Sequence, residues 1–315
     1  MVLEMLVSDR NATLGNWWKL LGIGAIYATF GLFLAAWVFP QYASMVMVFI
    51  TVLGMAYLMH EVVLKEEEYD EDKKHTPHDI LVHHGQTLTA FMFLFFGMLI
   101  AYLFWYVVLP WHAPAGNGVF SNFDVATVFE AQNDTVRRIT GQVFTGAAIE
   151  PSEWFTIILL NNLGVLFFSF LFGFVYGYGG IFVLAWNASV IAAAAGTTFR
   201  NAVASGISGP ERIWMFFASW LVYMPHGVFE IFGFFVGALA AGILGAGIAR
   251  KVWRTPEVLG RVLTDFIVFS FLAIVLIVFA AAIEVWITPN LDVIAELLFS
   301  SFERFTTALH AAIMP

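Results

Sequence analysis

Charge is what this chain is short of. Only 12% of its 315 residues are Asp, Glu, Lys or Arg, about half of the roughly 25% carried by a soluble domain. Such a chain cannot cover a water-exposed surface with polar groups, so its outside must face lipid. Cysteine is absent, which excludes disulfides and thiolate metal sites. Lys and Arg number 14 against 23 Asp and Glu, a formal net charge of −9, so nothing offers a basic footprint to nucleic acid. Residues 1–16 lack the basic stretch, short apolar core and small-residue cleavage site of a secretory leader. The first spanning helix is therefore expected to act as its own targeting signal. No HExxH or GxSxG pattern is present, and nothing looks like the active site of a soluble enzyme. What is present is apolar: 60% of residues are hydrophobic and 17% aromatic, with a mean hydropathy of +0.83.

A spanning helix needs about 20 mostly apolar residues. No formally charged residue lies between Lys19 and Glu61, a run too long for one helix and about right for two. Pro40 divides it, because the residue before a proline is pushed out of the helical region. The same reasoning predicts spanning helices over 18–39, 43–60, 87–109, 154–176, 181–198, 226–249 and 266–287. The expected fold is thus an all-α transmembrane bundle of about seven crossings. Pro225 interrupts the apolar run before it, so 213–223 is expected to be a short membrane-dipping helix. Apolar residues at Leu291, Ile294, Leu298, Phe302, Phe305 and Leu309 predict a C-terminal amphipathic helix. The acidic stretch 65–79 reads as a solvated connector, 111–152 as the longest polar loop and 250–261 as a basic connector. The chain divides into an N-terminal hairpin with its connector (1–86), a third helix with the loop (87–153), a membrane core (154–288) and the terminal helix (289–315).

Lys and Arg fix the expected orientation. Seven crossings with the N-terminus in the cytoplasm place nine basic residues inside, from Arg10 to Arg261, and leave Arg137, Arg138, Arg200, Arg212 and Arg304 outside. The reverse orientation inverts the bias. The expected location is the plasma membrane, with the C-terminus outside and the bilayer as partner. Asn133-Asp-Thr falls in the outer loop and forms an N-glycosylation sequon; those at Asn11 and Asn187 fall in the cytoplasm and the membrane and are expected to be unused. Trp111, Trp154 and Trp286 fit an outer aromatic belt, and Trp17, Trp18 and Trp253 an inner one.

Polar groups at membrane depth carry more information, because burying one without a partner is costly. Asn161 and Asn162 lie in the fourth helix and Asn187 in the fifth. His226 and Glu230 open the sixth, four residues apart and so on one face. That face continues through Gly233, Gly237, Ala241 and Gly245, small residues that let another helix backbone approach. Ser169, Gly173 and Gly177 form a similar stripe on the fourth helix. The economical picture packs these helices together, with amides, imidazole and carboxylate in one network. The asparagines read either as interhelical hydrogen bonds that hold the bundle or as part of a functional site. His226 with Glu230 reads either as a structural pair or as a proton- or metal-handling one. A metal site needs three or four protein ligands and only these two are evident, so neither metal nor cofactor is expected. The glycine stripes are packing devices, within the chain or between chains. His60, His75, His78, His83 and His84 surround the acidic connector without the spacing of a closed metal site, and Asp265 and Glu284 read as interfacial residues at the two ends of the last helix.

Taken together, FTIILLNNLGV (155–165), GYGG (177–180), WNASV (186–190) and MPHGVFEIFGFFVGALAAG (224–242) resemble the stage II sporulation protein M family over roughly residues 150–285. The family pattern has an Asn pair in one helix, an Asn in the next, and Pro-His-Gly followed by Glu in a later one. Here these are Asn161 and Asn162, Asn187, and Pro225, His226, Gly227 and Glu230; Ala188 stands where members often have Gly. The N-terminal part, with WVFPQYASMVMVF, looks like the extension of archaeal members. The bacterial namesake is a membrane scaffold that assembles peptidoglycan-degrading enzymes during forespore engulfment, whereas archaeal members occur in cells that neither sporulate nor have that wall. The resemblance therefore implies a shared, non-enzymatic membrane core that recruits protein partners or shapes membrane, and with the stripes it makes a self-associating homo-oligomeric scaffold the first expectation. A channel or transporter using the Asn/His/Glu cluster is the alternative, and an intramembrane metal-dependent hydrolase using His226 and Glu230 a third.

Overall fold

The computed structural model describes residues 17–70, 77–113, 123–144, 150–176, 180–204 and 209–290. Among them every long element is a helix and none is a strand. The first, α1 (Trp17–Val38), stops where the sequence says it should: Phe39 turns to φ −130°, ψ 55°, and Pro40 opens a single 3-10 turn to Tyr42. The chain then reverses into α2 (Ala43–Asp70). The hairpin is closely packed, since a Cβ on Gly31 would lie 2.7 Å from the Met47 carbonyl oxygen of α2. The next helix, α3 (Pro77–Val108), crosses α1 with the two backbones touching. A Cβ on Gly24 would run into the Leu94 carbonyl, and one on Gly97 into the Leu21 carbonyl. Thr51 fastens α2 to α3, pairing with the buried Tyr102 hydroxyl at 2.9 Å.

The two connectors flanking this unit differ from expectation. α2 continues to Asp70 and α3 begins at Pro77, so much of the acidic connector is helical; Lys and Glu are good helix formers. The polar loop 111–152 folds back on the bundle as α4 (Val125–Val128) and α5 (Glu130–Phe144). Asp124 caps α4, accepting from the Thr127 amide at 2.8 Å. Phe129 is fully buried, edge-on to Tyr102 and Tyr106. Gln132 donates to both the Ser44 carbonyl and the Ser189 hydroxyl at 3.1 Å. The loop therefore closes one end of the bundle.

Four longer helices follow among the described residues: α6 (Pro151–Tyr176), α7 (Gly180–Ala204), α8 (Gly209–Ala249) and α9 (Pro256–Trp286). Pro225 sits inside α8, so no break separates 213–223 from the helix expected at 226. A proline removes one backbone bond, a loss that spanning helices tolerate where neighbouring groups or a local adjustment of the helix re-satisfy the freed carbonyl. At the far end of α8, Lys251 takes the left-handed conformation at φ 61° that commonly ends a helix. Pro256 then opens α9 well before residue 266, so part of the basic connector is helical.

Among the described residues six helices are long and apolar enough to span a membrane: Trp17–Val38, Thr87–Val108, Pro151–Phe172, Gly180–Ala204, Met224–Ile248 and Pro256–Asn290. The chain is a multi-pass membrane-type protein. The expected helix over 43–60 has only a shorter apolar stretch, Pro40–Met55, although α2 buries Met47, Val48 and Met55 against its neighbours. The spanning part of α8 is 78% buried, against 17% for α6 and 33% for α9, which makes α8 the central helix and α6 and α9 outer ones. One continuous apolar cluster fills the interior, from Leu20 and Met47 through Phe95, Tyr102 and Leu184 to Phe234 and Phe269.

Candidate functional site

The site lies where α6 and α9 pack against α8. The small-residue stripe of α8 makes that contact possible. A Cβ on Gly233 would lie 3.1 Å from Ile277 Cγ1 and 3.3 Å from the Ala273 carbonyl, both on α9. One on Gly237 would strike Leu166 of α6 and lie 3.8 Å from Ala273 Cβ. Ala241 and Gly245 continue the buried face. At Gly233 and Gly237, then, the stripe packs within one chain.

One turn before the stripe the same face becomes polar. His226 is buried, its Nδ1 lying 3.1 Å from the Thr288 hydroxyl just beyond the end of α9. That hydroxyl is also 3.4 Å from the Ile283 carbonyl. One turn deeper, Glu230 meets the buried Asn162 of α6 in a side-chain hydrogen bond. The Asn162 oxygen accepts from Asn161 Nδ2 at 3.2 Å, which leaves its own amide hydrogens to donate to the Glu230 carboxyl. Glu284 of α9 is close enough to Glu230 for the two carboxyls to act on each other electrostatically. The cluster thus takes an amide from α6, an imidazole and a carboxyl from α8, and a carboxyl and a hydroxyl from the end of α9.

Of the five polar residues singled out in the sequence, four meet here: Asn161, Asn162, His226 and Glu230. Asn187 does not join them through its bond, since its amide donates to the Val183 carbonyl of its own helix at 2.8 Å. Asn161 sits at the edge, exposed on the outer face of α6. Sequence reasoning missed Glu284 and Thr288, having read Glu284 as interfacial. Their four-residue spacing, matching that of His226 and Glu230 on the facing helix, was the available signal. Asp265, nine residues into α9, is buried.

A second polar group joins α3, α5 and α7. The Tyr106 hydroxyl donates to Asn133 Oδ1 at 2.7 Å and lies 2.7 Å from the Thr197 hydroxyl. Asn133 Nδ2 reaches the Val125 carbonyl at 3.4 Å. The sequon asparagine is therefore a buried structural residue, and its amide is not exposed for glycosylation.

Among the described residues no group of three His, Cys, Asp or Glu side chains is arranged to hold a metal ion. The histidine side chains of the first connector, the glycines at 173 and 177 as a packing stripe, and the terminal amphipathic helix lie outside the described residues.

The family model for stage II sporulation protein M matches residues 89–289. That stretch is longer than 150–285 and takes in all of α4 to α9, most of α3, and the whole polar cluster. Neither a curated protein nor a solved structure matches the chain.

Proposed function

The chain belongs to the stage II sporulation protein M family, and from that premise we propose a non-enzymatic scaffold: a self-associating assembly platform in the cell membrane that recruits protein partners. The observation that carries this reading is the filled interior. The space between the spanning helices is taken up by one apolar cluster rich in aromatic and small side chains, as suits a rigid platform. With α2 counted as a seventh crossing, the bias of Lys and Arg supports a cytoplasmic N-terminus, with the α4–α5 cap on the outer side.

The Gly233–Gly237 stripe is used inside the chain, so self-association falls to an outer face. The lipid-side surface of α6 is the best supported. Leu160, Phe167 and Phe168 are exposed there, and Asn161 lies among them. A Cβ on Gly164 would meet nothing within 4 Å, so a second helix backbone has room to approach. An amide facing outward at membrane depth gains a partner when a second copy packs against it. Light scattering on detergent-purified protein tests this. An oligomer that Asn161→Leu dissociates is the expected result; a monomer in both proteins overturns self-association through α6. For recruitment, crosslinking in the native membrane is expected to trap the same protein partners in repeated preparations, and crosslinks to lipid alone would count against a platform.

The carboxyls of Glu230 and Glu284, within electrostatic reach of each other, favour a second reading, transport of protons or small cations, because ionisable groups at membrane depth mark conduction paths. Proteoliposomes carrying wild type and Glu230→Gln discriminate. Flux that the substitution abolishes supports transport, and no flux in either leaves the scaffold.

A further inference from the structure

Where α3 and α7 end side by side, a cavity of about 440 Å³ opens between them. Arg200 and Trp111 flank it, and Val107, Phe199, Val203 and Ala204 supply apolar wall. Arg200 holds the end of α3: its Nη1 donates to the carbonyls of Tyr106 at 2.6 Å, Leu109 at 2.8 Å and Val107 at 3.3 Å. These are carbonyls that the end of a helix leaves without intrahelical partners. The guanidinium carbon sits 5.7 Å over the Trp111 ring, a cation–π distance.

That arrangement uses one nitrogen of the fork. A guanidinium carries five N–H donors, and the Nη1 pair is committed to α3. Among the described residues, neither Nε nor Nη2 has a protein partner and no carboxylate pairs with Arg200. The helix end supplies only about half a negative charge, so the described residues around Arg200 do not balance its full charge. Arg200 and Trp111 lie at the ends of two spanning helices, the level at which tryptophans and lipid headgroups meet. The pocket thus joins a half-used fork, whose geometry fits a phosphate, to an apolar wall that would face acyl chain.

We propose that this cavity is a headgroup site for an anionic phospholipid. The phosphodiester accepts from Nε and Nη2 of Arg200, and the glycerol and upper chain lie against Val107 and Val203. Free phosphate shares the first contact but gains nothing from the apolar wall, so the bilayer lipid is the occupant.

Native mass spectrometry of the detergent-purified protein, titrated with phosphatidylglycerol, phosphatidylcholine or inorganic phosphate, tests this. Wild type is expected to retain one phosphatidylglycerol in preference to phosphatidylcholine. Arg200→Gln should weaken retention about tenfold or more, the scale of a lost charge-assisted hydrogen bond. Because Arg200→Gln also frees the end of α3, Val203→Trp provides the second variant: it fills the cavity and leaves the Arg200–carbonyl bonds in place. It is expected to abolish the preference while the protein keeps its elution volume and thermal midpoint. Equal retention of both lipids by wild type, or unchanged phosphatidylglycerol retention in Val203→Trp, would overturn the site. Inorganic phosphate displacing phosphatidylglycerol at equal concentration would overturn the lipid as its occupant.

Discussion

His226 Nδ1 lies 3.1 Å from the hydroxyl of Thr288, and this bond ties the polar start of the α8 span to the end of α9. Both side chains are buried, with 7% of each surface exposed. Replacing Thr288 by Val keeps the shape and deletes the hydroxyl. Losing one partner of a buried polar pair costs about 1–3 kcal/mol, so Thr288→Val is expected to lower the thermal midpoint in detergent while Thr288→Ser keeps it near wild type. Indistinguishable midpoints for wild type and Thr288→Val would show that the bond contributes nothing to holding α8 and α9 together.

Glycines in this bundle fall into two groups that predict opposite outcomes. A Cβ on Gly97 would collide with the Leu21 carbonyl and lie 3.0 Å from the Ala25 nitrogen, whereas one on Gly227 would meet nothing within 4 Å. Backbone cannot swing aside as a side chain can. Gly97→Leu should therefore cost more than the roughly 1–3 kcal/mol typical of overpacking and remove most of the monodisperse protein in size exclusion. Gly227→Leu should elute as wild type. Gly237→Leu falls between the two groups, because what occupies its space is the tip of the Leu166 side chain of the same chain, which can turn aside where backbone cannot. It is expected to reduce the folded fraction, not to convert a folded oligomer into a folded monomer.

Membrane helices were the most legible feature of the sequence, because a run of apolar residues without charge has few other uses. The α1–α2 reversal at Pro40 was legible for a similar reason: one proline has a strong local effect. Less legible was the fate of polar segments. The stretch around Phe129 and Gln132 reads as loop by composition, yet it packs into the end of the bundle because Phe129 finds Tyr102 and Tyr106 there. Gly24 and Gly97 were not picked out, although Gly24 stands four residues before Ala28 and Gly97 four before Ala101; the crossing of α1 and α3 shows their role. At the site, residues spaced along one helix were found and those on the facing helix were not. His226 and Glu230 share a face by their numbering, but that Glu284 comes within electrostatic reach of Glu230 follows from how α8 and α9 pack. Asn187 had the right residue type and depth, and its own helix backbone satisfies it.

Glu230 combines a favourable and an unfavourable contact, and two substitutions separate them. It hydrogen-bonds with Asn162, and the Glu284 carboxyl acts on it electrostatically. Glu230→Gln keeps an oxygen for Asn162 and removes the source of like-charge repulsion, which grows as the surroundings become less polar. Glu230→Ala removes both and leaves the buried Asn162 amide short of a partner. Gln is expected to equal or exceed wild type in thermal stability above neutral pH, and Ala to fall below both. Gln falling as far as Ala would mean that the carboxylate charge itself is needed by the fold.

Asn133 provides a prediction in which a sequence motif and its surroundings disagree. Asn133-Asp-Thr satisfies the glycosylation pattern, but the asparagine is 6% exposed, accepts from Tyr106 at 2.7 Å and sits near the start of α5. A glycosyl acceptor must present its amide nitrogen, and this one points toward the Val125 carbonyl. Protein from a glycosylating host is therefore expected to show no glycan at Asn133, and Asn133→Gln should leave the intact mass free of any glycan difference. The same substitution should lower stability by about 1–3 kcal/mol, because the longer side chain cannot keep both bonds and leaves the buried Tyr106 hydroxyl with Thr197 alone. A glycan found at Asn133, with unchanged stability in Asn133→Gln, would mean that α5 leaves the bundle and that the cap over its end is open in the membrane.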